Sequence, residues 1–178
     1  MTVILEERTP ERVWEMVSKG KLSIGLTRPV LAHEALGLRS MVLRDERFCV
    51  AVPNDHALAD RKTVSWKMLA DEPVIVLARR EGASSHDAIL AACREAGFTP
   101  HLAHTPSLIG TILQYVEAGA GLGIVPESTI RASRTMKLVP LTPRHGIPLV
   151  MVWNEDEADS AALGFHDLLH AWKKAGKI

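Results

Sequence analysis

The sequence is short of cysteine, of net charge and of long apolar runs, and each shortage excludes something. Only Cys49 and Cys93 occur, both inside apolar stretches and without paired spacing. That argues against a disulfide framework or a zinc site, and fits a reducing cytoplasm in which both thiols are buried and inert. Lysine plus arginine number 21 and aspartate plus glutamate 21, so the chain carries no electrostatic footprint for nucleic acid or for an anionic membrane. Direct DNA binding by these residues is not expected. No apolar run approaches the ~20 residues that span a bilayer, and no charged-then-apolar signal peptide opens the chain. Internal repeats, low-complexity tracts and long linkers are missing too. The expectation is a soluble, cytoplasmic protein of one domain or two small lobes. Its 178 residues suffice to bury roughly 70% of the surface an unfolded chain would expose.

What is present is organised around Thr105 to Ser128. Leu108, Ile109, Ile112, Leu113 and Val116 recur at helical spacing and predict a helix with one face on a sheet. Thr105 or Ser107 can cap its start, Pro106 suits the first turn, and Gly119 ends it. Gly121 and Gly123 let the chain turn, and Leu122, Ile124 and Val125 form a short run typical of a strand covered on both faces. Helix then buried strand is an α/β unit. The same logic reads Thr2–Glu6 as a strand, Thr9 as the cap of a helix to about Lys19, and Leu22–Leu26 as the next strand, making a βαβ unit. Leu38–Pro53 predicts a long strand passing from one sheet to another. Trp66–Leu69 is a helical turn and Pro73–Leu77 a buried strand. Ser84 or Ser85 caps a helix to Ala96, and His101–His104 is a short strand. A short helix after Ser128, strands at Lys137–Leu141 and Pro148–Trp153, and an amphipathic helix at Ala158–Lys174 with Leu163, Leu168, Leu169 and Trp172 inward complete the chain.

The candidate chemistry is sparse. Ser84, Ser85, His86 and Asp87 are neighbours in a helical first turn, point in different directions, and cannot line up as nucleophile, base and orienter. Gly119, Gly121 and Gly123 follow a helix and precede a strand, the reverse of a dinucleotide-binding turn. His166 and His170 share a helix face without a third ligand nearby. No catalytic residue, metal site or cofactor is expected. What recurs is a hydroxyl residue at a helix start directly after a strand: Thr9, Ser84 or Ser85, and Ser107. Ligands of open α/β sheets bind outside the carboxyl ends of the strands, where such helix starts gather N–H groups that suit an anion. Two lobes facing one cleft in this way would hold a small carboxylate.

The order of these phrases resembles the effector-binding domain of LysR-type transcriptional regulators. Val3-Ile4-Leu5-Glu6-Glu7 with Thr9, then Gly20-Lys21-Leu22-Ser23-Ile24-Gly25, is similar to that family's strand, helix and G-x-L-D-x-G strand. Leu43-Arg44-Asp45-Glu46-Arg47 followed by Phe48–Pro53 and His56-Ala57-Leu58-Ala59 resembles its passage L-x-x-E-x-x-x-x-V-P-x-x-H-P-L-A. Leu69–Ile75, Ala96–Pro100 and Val116–Pro126 complete a likeness that runs from Val3 to about Trp172. Ser23 stands where the family usually has Asp, and Ala57 where it has Pro.

The resemblance implies an α/β, two-lobed fold similar to type 2 periplasmic binding proteins. Lobe I would be 1–48 with 142–178 and lobe II 49–141. The family's winged helix-turn-helix, linker helix and first strand and helix of the effector domain would precede Val3, so lobe I is expected to be incomplete at its N-terminus. Exposed backbone edges there call for partner-chain contacts or local disorder, and effector binding by this chain is expected to be weak or absent. The resemblance further implies a homodimer or tetramer through effector domains and operator DNA bound only through the missing N-terminal domain, with no membrane contact. Thr9, Ser84 or Ser85, and Ser107 match positions that contact a small organic-acid effector. Arg47 matches a residue that lines a second pocket in some relatives concerned with aromatic catabolism, and Arg28 is added on its position after the second strand. A solute-binding protein, or an enzyme on the same fold such as a prephenate dehydratase or porphobilinogen deaminase relative, stays open beside the ligand-sensing reading.

Overall fold

A computed structural model describes residues 5–31, 37–129, 133–156 and 160–177. The chain divides into two compact units, one formed by Met1–Asp45 with Pro148–Ile178 and the other by Glu46–Ile147.

The first unit is built on strands β1 (Ile24–Thr27), the early part of β2 (Arg39–Pro53) and most of β8 (Gly146–Trp153), in the order β1-β8-β2. β1 pairs antiparallel with β8, from Ile24 opposite Trp153 to Thr27 opposite Val150. Helix α1 (Pro10–Ser18) has proline in its first turn, where the missing N–H costs nothing, and buries Val13, Trp14 and Val17 against Val150 and Val152. Helix α4 (Ser160–Lys174) places Leu169 against Leu43 and Met151. Because successive strand residues face opposite ways, Val150 and Val152 on one side and Met151 on the other put α1 and α4 on opposite faces of the sheet.

Two expectations for this unit are corrected. Among the described residues no strand precedes α1: residues 5–9 have no regular structure and Leu5 is 90% exposed, while Thr2–Ile4 lie outside the described residues. Of the first strand that the βαβ reading expects at Thr2–Glu6, the two described residues, Leu5 and Glu6, are not strand. In α4, whose expected start at Ala158 also lies outside the described residues, Leu169 is buried but Leu163, Leu168 and Trp172 are 47%, 42% and 41% exposed. Periodicity names the side chains that share a stripe; it does not say how much opposing surface the sheet supplies.

The second unit runs in the order β3-β7-β2-β6-β4-β5. β2 pairs antiparallel with β6 (Leu122–Pro126) and β7 (Met136–Thr142), and β4 (Pro73–Ile75) lies parallel to both β6 and β5 (His101–His104). Phe48, Val50 and Val52 belong to the core under helix α2 (Ala83–Glu95), which contributes Ile89, Ala92 and Cys93. Ala51, between them in sequence, belongs to the core under α3 (Ile109–Glu117), with Ile112 and Val116. The sheet is thus covered on both faces, which is why its strands read as unbroken apolar runs. Gly121 makes the expected turn, with φ +146° and the Pro73 carbonyl 2.6 Å from where a Cβ would stand. Gly123 does not turn the chain. It lies in β6, where an added Cβ would meet Ile112 at 2.7 Å, so it is the groove on which α3 sits. Trp66, in a 3₁₀ turn at Trp66–Leu69 close to β3 (Val64–Ser65), stacks edge-on against Phe48 and donates its Nε1–H to the Pro143 carbonyl at 3.0 Å.

Cys49 and Cys93 are both buried, and burial pushes each thiol up to about 11; Glu127 and Glu46 add to the shift at Cys49 and Arg47 opposes it. Neither is a thiolate at neutral pH, so neither is a ready nucleophile. Iodoacetamide at pH 8 is expected to leave the native chain unmodified and to add two carbamidomethyl groups after denaturation, as read by intact mass. Rapid labelling of the native protein would contradict this burial.

Candidate functional site

In the second unit β4, β5 and β6 are parallel, so their carboxyl ends share one edge of the sheet. The chain leaves β4 for α2 on one face and leaves β5 for α3 on the other. β4 and β5 are neighbours, so their exits diverge, the topology at which open α/β sheets bind ligands in a crevice. The two exits are tied together by Ala78 N–H donating to the Pro106 carbonyl at 2.9 Å.

The residues around this crevice are those singled out from the sequence, but not in the roles expected of them. Ser84 and Ser85 are not caps: Gly82 holds the N-cap position of α2, and the two serines fall in the first turn, Ser85 buried and Ser84 half-buried. Ser107 is not a cap either. Helix α3 starts two residues further on, with Leu108 at its N-cap, and the Ser107 hydroxyl accepts a hydrogen bond from Arg80 Nη2 at 3.1 Å. Hydroxyl residues stand near helix starts for more than one reason, and here Gly82 takes the N-cap position with φ −170° and ψ 63°. In the first unit Thr9 does hold the N-cap position of α1, yet its side chain makes no capping bond. At none of these three helix starts does the N-cap residue itself make a side-chain capping bond.

Arg80 is the residue sequence reasoning missed. It lies in a 3₁₀ turn at Arg79–Glu81, 76% exposed at its side chain, and reaches from Glu81 at 3.1 Å to Ser107. Its neighbour Arg79 is held away by a two-pronged bond to Asp87 at 2.8 and 2.9 Å, and that guanidinium keeps the Asp87 carboxyl below its ordinary range. Two adjacent arginines before a helix carry no distinguishing signal in the sequence by themselves. The signal that separates them is Asp87, eight residues after Arg79, which claims one and leaves the other for the crevice.

The same bonds dispose of the hydrolase reading. His86 Nδ1 lies 2.8 Å from the Leu77 carbonyl, which can only accept, so Nδ1 carries the proton and serves the backbone; Asp87 serves Arg79. Neither reaches a serine. His166 and His170 stack with their rings 18° apart and centroids 6.0 Å apart, and among the described residues no group of three or more His, Cys, Asp or Glu is placed to hold a metal.

The remaining two candidates have structural partners. Arg28, half-buried after β1, accepts the Trp14 Nε1–H on its carbonyl at 2.8 Å. Arg47 Nε lies 3.2 Å from Glu127 Oε2, an ion pair whose N–H is out of line for a hydrogen bond. Beside it the buried Glu46 carboxylate accepts from Ser128 Oγ at 2.7 Å. Arg47 thus stands at the start of the second unit and pairs with Glu127, the residue directly after β6.

The sequence profile of the LysR substrate binding domain matches residues 1–174. The chain is 32% identical over 162 residues to the HTH-type transcriptional regulator YwbI of Bacillus subtilis (strain 168), covering 88% of this chain and 52% of that protein. It is likewise 32% identical over 162 residues to the HTH-type transcriptional regulator TtuA of Agrobacterium vitis, covering 86% and 52%. It thus spans about half the length of the curated relatives it matches. Among solved structures, CbnR, a LysR family transcriptional regulator, superposes with a TM-score of 0.80 at 20% identity, over 96% of this chain and 59% of that one. The BenM effector binding domain with its effector benzoate superposes with a TM-score of 0.74 at 21% identity, over 96% and 78%. The fold is therefore the α/β, periplasmic-binding-protein-like fold of LysR effector-binding domains. With the profile covering nearly its whole length, this chain belongs to the LysR substrate binding domain family and is a ligand-sensing regulatory domain.

Proposed function

We propose that the domain senses a small organic acid, aromatic acids among them, in the cytoplasm, and that its crevice at the carboxyl ends of β4 and β5 receives the carboxylate. The observation that carries this is the pairing of Arg80 with Ser107 next to the starts of α2 and α3. A guanidinium beside a hydroxyl at helix starts suits an anion, which would compete with Glu81 for Arg80. Ser84 and Ser85 stand in the first turn of α2 on the same rim, and Thr9 at the start of α1 is proposed as the first unit's effector contact. Benzoate is the effector of BenM, whose effector domain shares this fold, which supports an aromatic acid as the class to try first. Effector binding would shift a conformational equilibrium by its differential affinity for two states, and a dimer or tetramer would pass that shift to DNA-binding heads elsewhere in the full-length regulator.

Amide spectra of the 178-residue chain titrated with benzoate test this. The first-turn amides of α2 and α3 are expected to move, with affinity in the millimolar range, and Arg80→Gln or Ser107→Ala is expected to weaken the effect about tenfold, the worth of one charge-assisted hydrogen bond. Shifts confined to other surfaces, or unchanged in both variants, would remove the basis of the reading.

A further inference from the structure

The turn before α2 carries two arginines, and the fold gives them different partners. Arg79 and Arg80 follow directly on Ala78, whose N–H is tied to the Pro106 carbonyl, so both side chains depart from the place where the exits of β4 and β5 meet. Arg80 crosses to Ser107. Arg79 turns the other way, and its Nε and Nη2 donate to the two carboxylate oxygens of Asp87, in the second turn of α2, at 2.8 and 2.9 Å. A fork on a fork satisfies charge and direction together, so this guanidinium has little left to offer a ligand.

The charge at the turn is therefore divided. Asp87 neutralises Arg79, and Glu81, 3.1 Å from Arg80, is the partner an incoming carboxylate would have to displace. One guanidinium can answer one carboxylate. A second negative group on the same ligand would find Arg79 already occupied and two acids, Asp87 and Glu81, beside it, and like charges brought together in this way cost affinity.

We propose, resting on the reading of this crevice as the effector's carboxylate site, that Asp87 sets the charge of the effector: by withholding Arg79 it makes the domain select an organic monoanion over a dianion. Asp87 is a positioning residue that acts through Arg79. Discrimination of this kind comes as much from what is denied to the wrong ligand as from what is offered to the right one.

Benzoate and phthalate, which share a ring and differ by one carboxylate, test this on the whole chain at pH 8, where all their carboxyls are ionised, and at constant ionic strength. The readout is the movement of the first-turn amides of α2 and α3. Benzoate is expected to bind the wild type at least about threefold more tightly than phthalate, and Asp87→Asn to tighten phthalate about tenfold while changing benzoate little. Removing an acid helps any dianion, so Asp87→Asn is also combined with Arg79→Gln; the gain for phthalate is expected to vanish there, because it belongs to the released arginine. Asn is isosteric with Asp, and an exposed ion pair adds little to stability, so the variants stay folded, as the remaining amide signals report. Benzoate binding at these amides with no change of preference in Asp87→Asn, or a gain for phthalate that survives Arg79→Gln, overturns the proposal and leaves the crevice reading intact. No movement of these amides with either probe in any variant overturns both.

Discussion

Gly146→Ala is expected to lower the melting temperature of the second unit by at least 6 °C, roughly the shift that about 3 kcal/mol produces in a chain of this size. A Cβ at this position would stand 1.8 Å from the Glu46 carbonyl oxygen and 2.8 Å from the Arg47 Cα. Both are backbone atoms, so no side-chain rotation relieves the overlap; β8 must move away from β2. Everything next to that contact is tightly held. Phe48 N–H donates to the His145 carbonyl at 2.8 Å, and Glu46 keeps its carboxylate 2.7 Å from Ser128 Oγ with 2% of the residue exposed. Forcing atoms into a packed strand pair costs about 1–3 kcal/mol in ordinary cores, and a backbone-on-backbone overlap belongs at or beyond the upper end. Trp66 reports the result. It is the second unit's tryptophan, 1% exposed, with its ring 6.3 Å from Phe48 and 5.7 Å from His145. Its fluorescence should change at the lowered transition. A variant melting with the wild type would mean that the two strands do not approach as described.

Trp14→Ala is the second large effect, and it belongs to the first unit. The indole is 1% exposed and packs with Val17, Val30, Val150 and Val152, while its Nε1–H reaches the Arg28 carbonyl at 2.8 Å. Removing it takes away both the largest side chain holding α1 on the sheet and a hydrogen bond that fixes the chain after β1. Truncations of this kind cost about 3–5 kcal/mol. Trp14→Phe separates the two contributions, since it keeps most of the apolar volume and loses the donor, for about 1 kcal/mol or somewhat more. Hydrogen exchange should show the loss as faster exchange in α1 and in the β1–β8 ladder. Unchanged protection there in Trp14→Ala would mean that α1 is held by something other than this ring.

Much of the second unit was legible because it is covered on both sides. Val50 through Val52, Val74 and Ile75, and Leu122 through Val125 read as unbroken apolar runs, and α2 and α3 keep a regular apolar face, so strand and helix declare themselves by period alone. The first unit was harder. Its terminal helix has an apolar stripe wider than the sheet can cover, and only the structure shows that Leu169 is inside while Leu168, one residue before it, is not.

The site divides the same way. Local sequence placed Thr9, Ser84, Ser85 and Ser107 near helix starts, and each lies within two residues of one. Local sequence also assigned them as caps, which holds in position for Thr9 but fails for the serines, because a cap depends on where the backbone enters the helix: Gly82 and Leu108 take those positions instead. Arg80 beside Ser107 joins residues 27 positions apart, and no period in the chain announces such a pair. Composition, periodicity and the order of phrases, being properties of neighbours, determined the fold class and the family. Which arginine is left beside Ser107, and which glycine is a close contact rather than a turn, were decided only by the tertiary structure. Each of these depends on a partner that the chain brings near from far away in sequence.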